Sequence, residues 1–129
     1  MTTNLDLVRG AYAGFATGDI PAVLGLLAPD ARWTESAGFP YAGTYVGPDA
    51  VLQGVFMRIG QDWDVFAVLP SGYVTEGHTV VALGEYSGRN KSTGRSFVAP
   101  FAHVWTLRDG KAVRFFRHVD TVLVARAMA

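Results

Sequence analysis

The chain contains no cysteine, which excludes disulfides, thiolate nucleophiles and cysteine-ligated metals but leaves the redox compartment open. Excess charge of either sign is also missing: eleven Lys and Arg offset eleven Asp and Glu, and no stretch concentrates one sign. That excludes the electrostatic footprint of a protein held on nucleic acid or on an anionic membrane. Half of the residues are apolar, yet no apolar run approaches the roughly 20 residues of a membrane span. Met1 to Gly10 has no signal-peptide core, so a cytoplasmic location is expected. No Gly-rich phosphate loop follows a strand, and no serine sits in a nucleophile elbow. His78, His103 and His118 lack metal-ligand spacing. Neither metal nor cofactor is expected, and the partner that remains is a small apolar molecule or a second protein chain.

What is present fits one domain over residues 1–129, long enough to bury about two thirds of its unfolded surface. Leu5, Val8, Tyr12 and Phe15 recur at helical spacing behind Thr3 or Asn4, and Gly18 ends that helix. Asp19 caps a short second helix with Pro21 in its first turn. Ala31, Trp33 and Glu35 share one face of a strand, and Ser36 to Gly47 reads as a loop. Pro48 opens a third helix reaching about Gly60. Four strands then follow, near 63–74, 79–89, 96–107 and 112–122. Helices first and strands later argue for an α+β domain with an antiparallel sheet.

Asp109-Gly110 signals a two-residue type I′ turn, and an unbroken ladder from it sets His103 opposite Phe116. On that register Phe101, His103 and Trp105 share a face with Phe116, His118 and Asp120, while Arg117 points the other way. Asp120 then lies about 13 Å along the strand from His103, too far for a direct bond but within the span of one ligand-sized cavity, and a β-bulge or another turn length would change that separation. The opposite face carries Val104, Val113, Phe115 and Val119, a patch large enough to predict a homodimer.

The runs Tyr12-Ala13-Gly14-Phe15-Ala16-Thr17-Gly18-Asp19, Leu26-Leu27-Ala28-Pro29-Asp30-Ala31-Arg32-Trp33, Gly43-Thr44-Tyr45-Val46-Gly47-Pro48-Asp49-Ala50-Val51 and Trp105-Thr106-Leu107-Arg108-Asp109-Gly110-Lys111 carry a family likeness. With them the chain resembles the nuclear-transport-factor-2-like, or cystatin-like, superfamily, in particular SnoaL-like polyketide cyclases and ketosteroid isomerase-like proteins. The resemblance implies a cone: a curved mixed, mainly antiparallel sheet wrapped around three N-terminal-half helices, with an apolar pocket at the open end. It also implies roles. Glu35 is similar to the isomerase general base, His103 stands where those isomerases place a protonated acid, and Asp120 is similar to the cyclase acid/base. Glutamate in place of the isomerase aspartate, and histidine in place of its acid, favour the cyclase pattern over steroid isomerisation.

The chemistry expected is proton transfer beside a carbonyl, which needs a base matched to the working pH and a donor where enolate charge grows. Glu35 and Asp120 are the candidate bases and His103 the candidate donor, with Tyr12 and Tyr45 as further donors. Trp33, Phe56, Trp63, Phe101, Trp105 and Phe116 are the expected apolar walls, with His118 beside them. A flat, small apolar carbonyl compound, polycyclic ones included, suits such walls. Two readings stay open: a cofactor-free cyclase, isomerase or dehydratase, and a non-catalytic ligand-binding or dimerisation module of the same fold. The enzyme reading expects Glu35, His103 and Asp120 to converge on one hollow, with at least one carboxylate lacking a cationic partner.

Overall fold

The computed structural model of the chain describes residues 2–129. Helix α1 (Asn4–Thr17) starts at a reciprocal capping box between Thr3 and Asp6 and stops at Gly18, whose φ of 72° a side chain would resist. Asp19 then accepts from the Ala22 amide and opens α2 (Ile20–Leu26) with Pro21 in the first turn. Strands β1 (Leu27–Glu35) and β2 (Gly43–Val46) follow. Next come α3 (Pro48–Val51), a π-helical turn over Leu52–Phe56 and α4 (Met57–Asp62), one unbroken helical run. Gly54 sits in the π turn because a Cβ there would run into the Tyr45 ring. Strands β3 (Trp63–Glu76), β4 (Thr79–Asn90), β5 (Ser96–Arg108) and β6 (Lys111–Val119) lead to α5 (Thr121–Met128).

The six strands form one curved sheet in the order β2-β1-β6-β5-β4-β3. Among the described residues only β1 and β6 pair in parallel; every other neighbour is antiparallel. The α+β class and the mixed, mainly antiparallel sheet therefore stand as read from the sequence. Two elements differ from that reading. Part of the segment read as a loop is the edge strand β2, and the chain turns helical after Val119 because Asp120 accepts the Leu123 amide as an N-cap.

Register decides what the sheet offers its inner face. Cross-strand partners align Glu35, Arg117, His103, Ala82 and Tyr73 in one row across β1, β6, β5, β4 and β3. Two residues away the row is apolar: Trp33, Phe115, Trp105 and Val80, each at most 1% exposed. Trp33 stacks on Phe115 at 3.7 Å between centroids, and Trp105 meets Phe115 edge-on at 4.7 Å. Burying side chains of this size contributes about 1.5–3 kcal/mol each, and aromatic pairs add about 0.5–1.5 kcal/mol, so this layer anchors the polar row above it.

The polar row differs from the expected one by a single residue. Asp109 and Gly110 adopt φ of 51° and 77°, and Arg108 pairs with Lys111 as a two-residue turn requires. The ladder then slips, because Leu107 pairs with Ala112 but Thr106 pairs with Arg114, leaving Val113 as an extra residue on β6. One extra residue reverses every side chain beyond it. His103 consequently faces Arg117, not Phe116. Phe115 and Arg117 turn inward, while Phe116 and His118 stack on each other at 4.3 Å on the outer face. Phe115 therefore leaves the outer patch expected to support a dimer. Val119, paired with the inward Phe101, leaves it too, while Val104 stays there and Phe116 joins it as its cross-strand partner.

A second bulge shapes the opposite wall. The β3–β4 register shifts between Asp64 and Ala67, and Val65 absorbs it with a φ of 52° while 89% exposed. A β-branched residue in that region is a genuine outlier. Its effect is to send Phe66 and Val68 to the inner side with Trp63.

Candidate active site

A cavity of about 340 Å³ opens between the α1–α2 corner, α4 and the start of β3. Phe15, Gly18 and Ile20 line one side, Phe56, Ile59 and Gly60 a second, and Trp63, Phe66 and Val68 a third. Phe56 closes the π turn, a deviation from α geometry often found at functional sites. One charged side chain completes the lining: Arg117.

Arg117 is 3% exposed, and its guanidinium lies between two rings, 5.0 Å from the Phe39 centroid and 4.9 Å from that of Tyr86. Its Nε stands 2.8 Å from Glu35 Oε2, and both side chains are buried. The two charges are close, yet the N–H is not aimed at the oxygen: Glu35 Oε2, Arg117 Nε and Arg117 Nη1 all lack a hydrogen-bond partner among the described residues. Glu35 Oε1 accepts from the Trp33 indole at 3.2 Å. Burial lifts the Glu35 carboxyl above its ordinary range, and the Arg117 charge and the Trp33 bond offset only part of that.

His103, next in the row, has both ring nitrogens engaged. Its Nδ1 meets the Tyr12 hydroxyl at 2.5 Å and its Nε2 meets the Tyr86 hydroxyl. Trp105 Nε1 donates to the Tyr12 oxygen at 3.0 Å. Burial holds the imidazole well below its ordinary pKa, and the Arg117 and His118 charges add to this, so His103 is neutral. A neutral imidazole has one N–H and one lone pair, so one tyrosine donates to it and the other accepts.

The neutral histidine has a measurable signature. Its folded pKa lies below the unfolded 6.5, so its contribution is present above pH 6.5 and lost as pH falls below it, by up to about 1.4 kcal/mol per pH unit. Glu35 acts in the opposite sense, because its raised folded pKa makes the native state take the proton first as pH falls toward 4.5. With Glu35→Gln as background, urea unfolding from pH 6.5 to 4.5 is expected to show a steep acid loss that adding His103→Gln removes. Equal slopes in the two proteins would exclude a buried neutral His103.

Of the residues singled out from sequence, Phe56 and Trp63 line the cavity, while Glu35 and His103 stand beside Arg117 in the same buried row without bordering the space. Tyr12, Trp33, Phe101 and Trp105 are inward-facing core. Tyr45, half-buried on β2, spends its hydroxyl on the Tyr41 carbonyl at 2.8 Å. The bulge at Val113 puts Phe116 and His118 outside. Asp120 is exposed and occupied in capping α5, accepting from Leu123 at 3.3 Å, so it does not join the hollow. The expectation of a carboxylate inside without a cationic partner is corrected too, since Glu35 has Arg117. Arg117, Phe15, Phe66 and Tyr86 were missed as site residues. For Arg117 a signal existed: an inward carboxylate calls for a cation.

The comparisons with known proteins agree with this architecture. An NTF2-like protein from Burkholderia thailandensis E264 is 41% identical, superposes with a TM-score of 0.97 and is matched over 100% of this chain and 99% of that one. An NTF2-like protein of unknown function from Burkholderia pseudomallei K96243 is 32% identical, with a TM-score of 0.92 over 100% and 99% of the two chains. TerC, co-crystallised with polyporic acid, is 26% identical, with a TM-score of 0.88 over 97% of each chain. No curated protein matches. The SnoaL-like domain model matches residues 8–115, from α1 through the Phe115 layer that carries the polar row, and on that span the chain belongs to the SnoaL-like domain family.

Proposed function

We propose that this protein is a cofactor-free enzyme that moves a proton on a small, flat, apolar carbonyl compound, in the manner of a cyclase, isomerase or dehydratase. The observation that carries the reading is the row at the cavity: a buried guanidinium with a free Nη1, backed by a carboxylate whose proton affinity is raised by burial. Arg117 supplies donors where enolate charge develops, in a space where fixed donors act strongly. Glu35, behind Arg117 and off the lining, receives the proton removed beside the carbonyl by way of one bridging water, and a pKa raised by burial suits that role. His103, held between Tyr12 and Tyr86, positions the row and takes no proton itself. The apolar walls admit a bicyclic or larger flat ligand, and TerC, a relative at 26% identity, was co-crystallised with polyporic acid.

A second reading has one observation in its favour. Glu35 does not border the cavity, as a non-catalytic ligand-binding module of the same fold would allow. The homodimer read from the sequence stays a proposal as well, now resting on the outer strip of Val81, Val104 and Phe116. Exchange separates the first two readings. With 2-tetralone in deuterium oxide, followed by proton NMR, loss of the α-proton signals is expected to run well above the buffer rate. Binding of 2-tetralone with no acceleration assigns the protein to the second reading.

A further inference from the structure

Among the described residues, Arg117 Nη1 is a buried donor with no partner, and Arg117 is the one charged side chain lining an apolar cavity. A donor of this kind is rarely left unsatisfied, because desolvating it without a partner is strongly unfavourable. Its neighbours cannot meet it: Phe39 and Tyr86 present ring faces, and Glu35 reaches only toward Nε. Arg117 borders the cavity, so an acceptor for its guanidinium comes from that space. A neutral carbonyl supplies a lone pair alone, whereas an anionic oxygen supplies lone pair and charge to a guanidinium that stays charged across the working pH range.

The second observation concerns charge. Glu35 and Arg117 already cancel, so an anionic ligand leaves the trio with one excess negative charge in a buried site. One group must take a proton from water. The candidates facing Arg117 and Glu35 are Tyr12 on α1, Tyr86 on β4, and His103 on β5, while His118 faces outward. Burial raises both tyrosine hydroxyls, which stay protonated throughout, and His103 has both nitrogens engaged. Glu35 is left, its Oε2 without a hydrogen bond and therefore able to hold the added hydrogen.

We infer that the cavity takes a flat aromatic ligand bearing an acidic oxygen, a carboxylate or an acidic enol, which binds as the anion on the Arg117 guanidinium while Glu35 takes up one proton. This rests on the proton-transfer reading, since the bound anion reproduces the charge distribution of an enolate on Arg117 with Glu35 protonated. The bond made is the O–H at Glu35, and the bond broken is the O–H or N–H of the solvent or buffer acid that gives up that proton.

Two acid and neutral pairs test it by isothermal calorimetry: 1-naphthoate against 1-naphthamide, and 2-hydroxy-1,4-naphthoquinone against its 2-methoxy ether. Charged hydrogen bonds predict that each acid binds about 10- to 100-fold tighter than its neutral partner. The first pair reports a carboxylate and the second an acidic enol, and a preference in either supports the site. Repeating the titration in buffers of different ionisation enthalpy is expected to give uptake of close to one proton per site at neutral pH. Glu35→Gln, which keeps Arg117, retains the preference and loses the uptake. Equal affinities within both pairs, no binding of any probe, or undiminished uptake in Glu35→Gln overturns the inference. Failure here with 2-tetralone exchange intact leaves the enzyme reading in place. The anion preference with no exchange identifies a binding site for acids instead.

Discussion

Glu35→Gln is expected to slow α-proton exchange of 2-tetralone by about 10²- to 10⁴-fold, the usual contribution of a positioned general base. Glutamine keeps the size of the side chain and an oxygen for the Trp33 indole, so the aromatic layer has no reason to move. What it removes is the lone pair that accepts a proton near neutrality. Binding of 2-tetralone is expected to change little, which places the loss in turnover rather than in affinity. The wild-type rate should also fall as pH drops through the raised Glu35 pKa, at a pH above the ordinary carboxylate value of 4.5, because only the ionised form accepts. An unchanged rate in the variant, or an acid limb at the ordinary value, removes Glu35 from the chemistry.

How much of this site was legible beforehand depends on the distance over which a local rule has to hold. Trp33 and Glu35 lie on the inner face of β1 because strict alternation over three residues needs no outside information. The turn at Asp109-Gly110 and the pairing next to it follow from backbone sterics at two positions. Beyond Val113 the same extrapolation fails. Nothing about a valine announces a bulge, and what drives it is tertiary: with the slip, Phe115 enters the Trp33–Trp105 layer and Arg117 reaches Glu35. Without it, Phe116 and an exposed-type His118 would occupy those places and Glu35 would be buried alone. Asp120 was misread for a related reason. An Asp-Thr pair at the end of a strand is equally a helix cap, and the apolar spacing of Val124 and Ala127 decides for the cap only once the sheet has given them something to cover. The cavity itself depends on the left-handed Val65, a conformation no sequence rule assigns to a β-branched residue.

Arg117→Met tests the pair that the bulge creates. Methionine fills the volume between Phe39 and Tyr86 but leaves Glu35 buried without its cation, and breaking one side of a buried pair typically costs about 3–5 kcal/mol. The size of the loss should depend on pH with a definite sign. Without Arg117 only the Trp33 bond opposes the desolvation of Glu35, its folded pKa rises further, and each pH unit above the unfolded value of 4.5 adds up to about 1.4 kcal/mol of penalty until deprotonation is complete in the native state. Urea unfolding is therefore expected to show a large deficit at pH 8 that shrinks toward pH 4.5, below which Glu35 becomes neutral in both states. Glu35→Gln combined with Arg117→Met should recover most of the stability at pH 8, since nothing charged is then left in the row. A variant as stable as the wild type at pH 8, or a double variant no better than Arg117→Met alone, would mean that the guanidinium does not hold Glu35 in its ionised state. In that case the carboxylate that the proposed chemistry requires is neutral before any substrate arrives.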